Sequence, residues 1–303
     1  MTERMKLPSQ ISQQCQLLIG ALRLPEQFID VVENIYYPLA VRLLNSKQQS
    51  PLLISINGAQ GTGKSTLTQF TKLILELLSN KPAAAFSIDD FYLTRAERQH
   101  LAKKIHPLFK TRGVPGTHDL DLMKSVLNSL LNGSSTQIPV FNKAIDDRAD
   151  KESWQTISEP VDFILFEGWC VLSPPQEAEQ LVEPINQLEK EEDPNTEWRR
   201  YANLKLTEYQ QQLFSLTDVS IMLQPPDFEH VYEWRTLQEE KLRESTQTDS
   251  NQLMDTAALK RFIQHYERIS RHTLAQLPAL VDYLLPVDRQ HNITAIIERH
   301  DSR

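Results

Sequence analysis

Three groups of residues have the types and spacing for phosphoryl chemistry. Gly58-Ala59-Gln60-Gly61-Thr62-Gly63-Lys64-Ser65 fits the spacing G-x-x-x-x-G-K-[ST] of a phosphate-binding loop. Glycines there let successive backbone N–H groups curl around phosphate oxygens, and the N-terminus of a following helix adds positive dipole. Lys64 brings a point charge to the β- and γ-phosphates, Ser65 offers its hydroxyl to Mg²⁺, and Thr66 completes the nucleotide-binding run. The chain has only 8 glycines, yet Gly58, Gly61 and Gly63 fall within six residues. A scarce residue clusters in this way where backbone must bend sharply or approach a ligand closely. Further on, the apolar run Val161–Phe166 ends at Glu167, a carboxylate placed to face Mg²⁺ at the end of a strand. Glutamate is longer than the usual aspartate, so Glu167 is expected to act through a metal-bound water. The third group, Asp89-Asp90, ends another apolar run. Transfer to a hydroxyl needs a carboxylate to take the proton, and either aspartate is a candidate.

The loop by itself indicates only a nucleoside triphosphate. A small-molecule kinase, a GTPase switch and an ATPase motor or assembly factor all use it. Asn142-Lys143-Ala144-Ile145-Asp146 approaches the guanine-reading N-K-x-D, but Ile145 stands where the aspartate must accept from guanine. The GTPase reading fails there.

These groups need elements to hold them. Leu52–Ile56, Ala83–Ile88, Val161–Phe166, Asp218–Leu223 and Val281–Val287 are short apolar runs bounded by polar residues or proline, and read as buried strands. Three- and four-residue apolar spacing predicts helices over Ile11–Leu22, Phe28–Leu44, Leu67–Leu78, Leu120–Leu131, Leu204–Phe214, Phe228–Glu244 and Thr256–Leu277. Strands alternating with helices indicate an α/β fold with a five-stranded, mainly parallel sheet and helices on both faces. The expected organisation is a single domain over 1–303, with a helical N-terminal extension over 1–50 and the catalytic core over 51–290. The acidic stretch Pro174–Glu197 reads as a solvated surface insertion.

Composition narrows the class. With 303 residues, 40% hydrophobic and 24% charged, the chain can bury a full core. Its net charge, 32 − 40 = −8, argues against broad nucleic-acid binding. No apolar run approaches the roughly 18 residues needed to span a bilayer, and the N-terminus lacks a signal-like apolar segment. Two cysteines, Cys15 and Cys170, are too few for a disulfide framework, so a reducing cytoplasm is expected.

Several segments then resemble a known family. Asp89-Asp90-Phe91-Tyr92 resembles the D-x-F-[YH] element shared by uridine kinase, phosphoribulokinase and bacterial pantothenate kinase. More specifically, the chain resembles the D-glycerate 3-kinases among P-loop kinases. The segments that carry this likeness are Gly58–Ser65, Ile88–Tyr92, Arg112-Gly113-Val114-Pro115-Gly116-Thr117-His118-Asp119, Asp147–Asp150, Phe166–Trp169, Trp234–Glu240 and Tyr266–Arg268. They span roughly residues 50–290 in the family's order. The phosphate loop is general, whereas R-G-x-P-G-T-H-D and W-R-x-L-Q-E are far more specific. One departure is Asn142, where relatives commonly carry aspartate.

The resemblance implies a P-loop NTPase fold, ATP with Mg²⁺, and transfer to a hydroxyl of a small molecule, D-glycerate first. Pantothenate, a nucleoside or a sugar is the alternative acceptor, and an ATP-binding accessory protein the alternative class. It makes Asp89 the catalytic base and puts the Arg112–Asp119 loop on the acceptor side. That loop has Gly113 and Gly116 for close backbone approach and a cation near each end, Arg112 and His118. Tyr92, Lys143 and Arg148 join the acceptor set. A helical lid is implied over Phe228–Glu244, where Arg235 and Arg243 share one face and would meet the transferring phosphate. Arg268 and Arg271 are weaker candidates, His265 and His272 have no metal-ligand spacing, and Trp169 and Trp234 read as packing. The expected state is a monomer or homodimer with neither nucleic acid nor membrane as partner.

Overall fold

The computed structural model describes residues 6–47, 50–245 and 256–299, with the side chains of 237–245 and 256–257 outside that description. At its centre is β1 (Leu52–Gly58), buried along its whole length. A strand covered on both faces must be apolar on both, and Leu52, Ile54 and Ile56 enter one core while Leu53 enters the other. Around it stand β2 (Ala83–Ser87), β7 (Phe163–Gly168), β8 (Val219–Gln224), β9 (Tyr283–Pro286) and β10 (Ile297–Glu298), in the order β10-β9-β8-β1-β7-β2. All neighbours are parallel except β10 on β9. The five expected strands are therefore the five parallel ones. The antiparallel edge strand β10 makes a sixth, beyond the expected end of the core at residue 290. It is only two exposed residues long and leaves no apolar run in the sequence. Two ribbons lie apart: β3 (Thr136–Ile138) with β6 (Gln155–Ile157), and β4 (Phe141–Asn142) with β5 (Asp147–Arg148).

One face of the sheet is covered by α1 (Ser9–Ala21), α2 (Ile29–Val31), α3 (Tyr37–Asn45) and α4 (Lys64–Ser79). Ile11, Cys15, Leu39 and Leu43 share a single core with Ile54, Phe163 and Ile221, so the first helices close this face. The continuous helix expected over Phe28–Leu44 opens instead into a π-turn, Val32–Tyr36, between α2 and α3. Pro38 explains the break, because it has no N–H to give the carbonyl four residues back. Next along the chain is the short helix α5 (Arg95–Lys104). The opposite face of the sheet receives α6 (Leu120–Leu131), at the expected bounds, with Met123, Val126, Leu127 and Leu130 turned inward. There it joins α8 (Glu197–Gln212) and α10 (Thr256–Gln276). Among the described residues no helix is long and apolar enough to cross a membrane.

The acidic insertion differs from expectation. Most of its acids are exposed, but Glu189 and Asp193 are completely buried. Glu189, in α7 (Gln187–Glu192), accepts from Arg268 Nε at 2.7 Å and from its terminal nitrogen at 2.6 Å. Asp193 accepts from Arg199 at 3.0 Å and from the Trp198 amide at 2.9 Å, which anchors the start of α8. A count of acids cannot reveal this, because the partner of Glu189 arrives from α10, 79 residues later. Arg268 is thereby spent on structure rather than on the site. Removing one partner of a buried pair strands the other charge at a cost of about 3–5 kcal/mol. Glu189→Ala should therefore lower unfolding stability by about that much in urea titrations, while Glu191→Ala, exposed on the same helix, should stay within about 0.5 kcal/mol of wild type.

Candidate active site

The phosphate loop leaves β1 at Gly58 and enters α4 at Lys64. Gly61 and Gly63 take left-handed φ of +83° and +87°, which side-chain-bearing residues rarely adopt. Thr62 closes the turn by donating to the Ala59 carbonyl at 2.8 Å. Gly63 caps α4 without any side-chain hydrogen bond, so the first amides of the helix remain directed out of it. The loop is walled by α9 (Phe228–Ser245): a Cβ on Gly61 would stand 3.0 Å from the Cβ of Trp234. This geometry suits a polyphosphate.

Strand register sets the remaining chemistry. Glu167 pairs with Ile56 of β1 on one side and Ser87 of β2 on the other. Two residues beyond Ile56 lies Gly58, and two beyond Ser87 lies Asp89, so all three groups emerge at one edge. Ser65 donates its hydroxyl to Glu167 Oε1 at 2.6 Å. Glu167 Oε2 is buried and has no hydrogen-bond partner among the described residues. An orphaned, buried carboxylate oxygen beside a serine hydroxyl is a donor set that fits Mg²⁺.

The two adjacent aspartates are separated by a single turn, Ile88–Phe91. Asp90 turns back and accepts the Ser87 amide at 2.9 Å, while Ser87 Oγ receives the Asp89 amide at 3.2 Å. That capping box leaves the Asp89 carboxylate free for the site. It accepts from Tyr92 at 2.9 Å and from Lys143 at 2.8 Å. Burial alone would push the Asp89 carboxyl up. The ammonium groups of Lys143 and Lys64, with the hydrogen bonds from Lys143 and Tyr92, outweigh burial and hold it down at about 2. For Asp90, burial wins and pushes the carboxyl up to about 6. The Ser87 amide opposes that rise, and the charges of Asp89 and Glu167 reinforce it.

The loop over Arg112–Asp119 is held from behind by aromatic side chains. Tyr266 donates to the Arg112 carbonyl at 3.2 Å and Trp169 to the Gly113 carbonyl at 3.2 Å. Gly113 has φ +145°, and a Cβ there would stand 2.3 Å from the Tyr266 hydroxyl. His118 departs from expectation. It is buried, stacked on Tyr92 with ring centroids 4.6 Å apart, and burial lowers its pKa to about 4 despite Asp89. It is a neutral imidazole, not the second cation of the loop. Tyr209 takes the Gly116 amide at 2.9 Å and meets His118 Nδ1 at 3.1 Å, while His118 Nε2 is buried and has no partner among the described residues.

The remaining candidates scatter. Arg112 pairs with Asp146. Arg148 bridges the Tyr92 carbonyl and Asp119, both at 3.0 Å, and so braces the two segments. Arg235 lines a small cavity with Gln60, Val231 and Tyr266, close to the phosphate loop. The side chain of Arg243 lies outside the described residues. Arg271 binds Glu229 and Glu267 at the surface. Sequence reasoning missed Arg98, Asp119 and Asp146 as parts of the site. Arg98 is buried and reaches Asp146 at 2.6 Å. Nothing in its helical segment, which has few apolar residues, signals burial.

Asp90 carries a testable consequence of the capping box. An unfolded aspartate titrates near 3.8, and Asp90 in the fold near 6. Between those values the folded state binds more protons, so stability falls as pH rises through 6. Asp90→Asn keeps the acceptor for Ser87 without the charge. Its stability relative to wild type should grow by about 1–2 kcal/mol from pH 5 to pH 8, in urea unfolding without nucleotide or Mg²⁺. A gap that does not widen would mean that Asp90 titrates as an ordinary carboxylate.

Residues 53–175 match the phosphoribulokinase / uridine kinase family. An uncharacterized kinase of Schizosaccharomyces pombe, mug58, is 32% identical over 232 residues, which cover 71% of this chain and 78% of that protein. The chloroplastic D-glycerate 3-kinase of Arabidopsis thaliana is 29% identical over 256 residues, 80% of this chain and 54% of the plant protein. In fold, the chain is similar to a solved D-glycerate 3-kinase from Cryptococcus neoformans, with TM-score 0.70 at 23% identity over 87% of this chain and 97% of that one. A phosphate loop closed over α4, carboxylates aligned beside it by strand register, and these relatives agree: the chain belongs to the phosphoribulokinase / uridine kinase family and is an ATP-using P-loop kinase.

Proposed function

We propose that this kinase transfers the γ-phosphoryl group of ATP to O3 of D-glycerate, giving 3-phosphoglycerate. The observation that carries the reading is a pairing of opposites on one short turn. Between β4 and β5, Lys143 reaches Asp89 and Asp146 reaches Arg112. An ionised carboxylate and a guanidinium thus stand within the span of one four-residue segment. A hydroxy acid presents the complementary pair, a hydroxyl for the base and a carboxylate for the arginine. The Arabidopsis relative, named for D-glycerate, supports the same acceptor.

In this mechanism the amides of the Gly58–Ser65 loop and the Lys64 ammonium hold the β- and γ-phosphates. Arg112, with Lys143 and Arg148 nearby, orients the acceptor carboxylate, and His118 and Tyr92 form the floor beneath it. The acceptor O3 bonds to the γ-phosphorus as the bond to the β–γ bridging oxygen breaks, and the O3 proton passes to Asp89. A carboxylate held at about 2 is ionised at neutral pH, so its oxygen is open to the proton. Arg235 and Arg243 on α9 neutralise charge on the transferring group. Mg²⁺, when bound by Ser65 and Glu167, supplies further charge neutralisation on the phosphates. Most of the catalysis is positioning and electrostatics.

Coupled ADP-release assays against D-glycerate, pantothenate, uridine and ribulose 5-phosphate test the acceptor. D-glycerate should give the highest kcat/KM. An enzyme that ignores it and phosphorylates uridine would overturn the assignment. Asp89→Asn should lower kcat by about 10²–10⁴-fold, the range for a positioned base, with little change in ATP affinity. Loss of ATP binding instead would make Asp89 a metal or structural residue. Arg112→Lys should raise the KM for D-glycerate and leave that for ATP nearly unchanged, because a point charge cannot reproduce a guanidinium fork.

A further inference from the structure

The turn that joins β4 to β5 places a charged side chain on each of the two groups that a hydroxy-acid acceptor requires. Its ammonium, from Lys143, lies on Asp89, and its carboxylate, from Asp146, lies on Arg112. Asp146 has φ +55°, a left-handed conformation that aspartate tolerates better than most residues. Its two oxygens are divided. Oδ1 takes Arg112, and Oδ2 takes Arg98 at 2.6 Å. Arg98 is 1% exposed and also donates to the Asp146 carbonyl at 2.8 Å and the Leu93 carbonyl at 3.1 Å. Both guanidiniums lie against Phe141, at 5.5 and 5.4 Å from its ring centre. Arg98 is therefore fixed and holds the turn by its backbone. By contrast, Arg112 is 24% exposed and Asp146 38%, so a ligand from solvent can reach their contact.

We propose that Asp146 occupies, in the acceptor-free enzyme, the seat on Arg112 that the acceptor's carboxylate takes, so that acceptors bind by carboxylate exchange and Asp146 weakens their binding by competing for Arg112. This rests on Arg112 being the acceptor's anion receptor. The divided carboxylate makes the exchange possible. Oδ1 releases Arg112 while Oδ2 stays on Arg98, so no buried guanidinium loses its counter-charge. An anionic acceptor replaces one carboxylate on Arg112 by another. An uncharged ligand brings no carboxylate to Arg112, so loss of the Asp146 charge changes its binding little.

Steady-state kinetics of wild type and Asp146→Asn test the exchange. Three ligands are compared: D-glycerate as substrate, D-lactate as the same carboxylate without O3, and propane-1,2-diol as its uncharged counterpart. Asp146→Asn should lower the KM for D-glycerate and the Ki for D-lactate by about 3–30-fold, since a competing unit charge at contact distance is removed. The KM for ATP and the Ki for propane-1,2-diol should stay within about twofold. If the carboxylates bind more weakly, Asp146 merely orients Arg112 and the exchange is wrong. If the diol improves as much as D-lactate, the effect is steric and the exchange is again wrong. Failure of the acceptor assignment looks different: the wild-type enzyme would then neither phosphorylate D-glycerate nor be inhibited by D-lactate. The double variant Asp146→Asn with Arg98→Gln, which leaves no buried charge unpaired, repeats the comparison if the asparagine variant does not fold.

Discussion

The parallel register of β1, β7 and β2 is the constraint on which the rest depends. Pairing Glu167 with both Ile56 and Ser87 brings three strand ends to one level. Each strand then releases its chain on the same side, one into the glycine loop, one into Glu167 and one into the Asp89 turn. In an open parallel sheet the carboxyl ends of the strands are where a ligand meets convergent backbone and side chains. A slip of one residue in β7 would turn Glu167 to the other face and leave the Ser65 hydroxyl without its partner. The apolar character of these strands, buried on both faces, is what makes such a slip costly.

That alignment crowds three carboxylates, Asp89, Asp90 and Glu167, and the fold separates them by environment. Asp90 is turned into a cap and pays for burial with a raised affinity for its proton. Asp89 is met by Lys143 and Lys64 and stays ionised. Glu167 shares one oxygen with Ser65, and its other has no partner among the described residues. Three acids of similar chemistry thus stand in three distinct states: a cap, a carboxylate ionised between two ammonium groups, and a carboxylate with one bare oxygen. The differences arise from a few hydrogen bonds and two ammonium groups rather than from the residue types.

The Arg112–Asp119 loop is built differently, with little regular structure, and is held by its neighbours. Tyr266 and Trp169 fasten the start of Arg112–His118 through one hydrogen bond each, and Tyr209 fastens its end through two. Tyr266 belongs to α10, which is itself tied to the acidic insertion by Arg268 and Glu189. A buried ion pair remote from the phosphate loop therefore supports the helix that supports the loop. The ribbon β4–β5 completes the arrangement from the other side, carrying Lys143 and Asp146 on a turn held by Arg98.

Much of this was open to reading from the chain alone. The phosphate loop is a local motif, and its conformation follows from where glycine permits left-handed backbone. The parallel strands are apolar runs that a two-faced sheet requires, and α6 lies at the bounds set by its own periodicity. Such features depend on residues within a few positions of each other. The edge strand Ile297–Glu298 was not legible, because two exposed residues carry no pattern. Nor were the neutral state of His118, the burial of Glu189 and Asp193, or the bond between Arg98, Asp146 and Arg112. All but the Asp193 contacts join residues that are distant in sequence, and each depends on desolvation, which has no local signature. Spacing determined that the chain could hold a nucleotide, and resemblance singled out Asp89; only tertiary contact decided how Asp89 and Asp90 differ, because burial and counter-charge come from elements that meet only when the chain is folded.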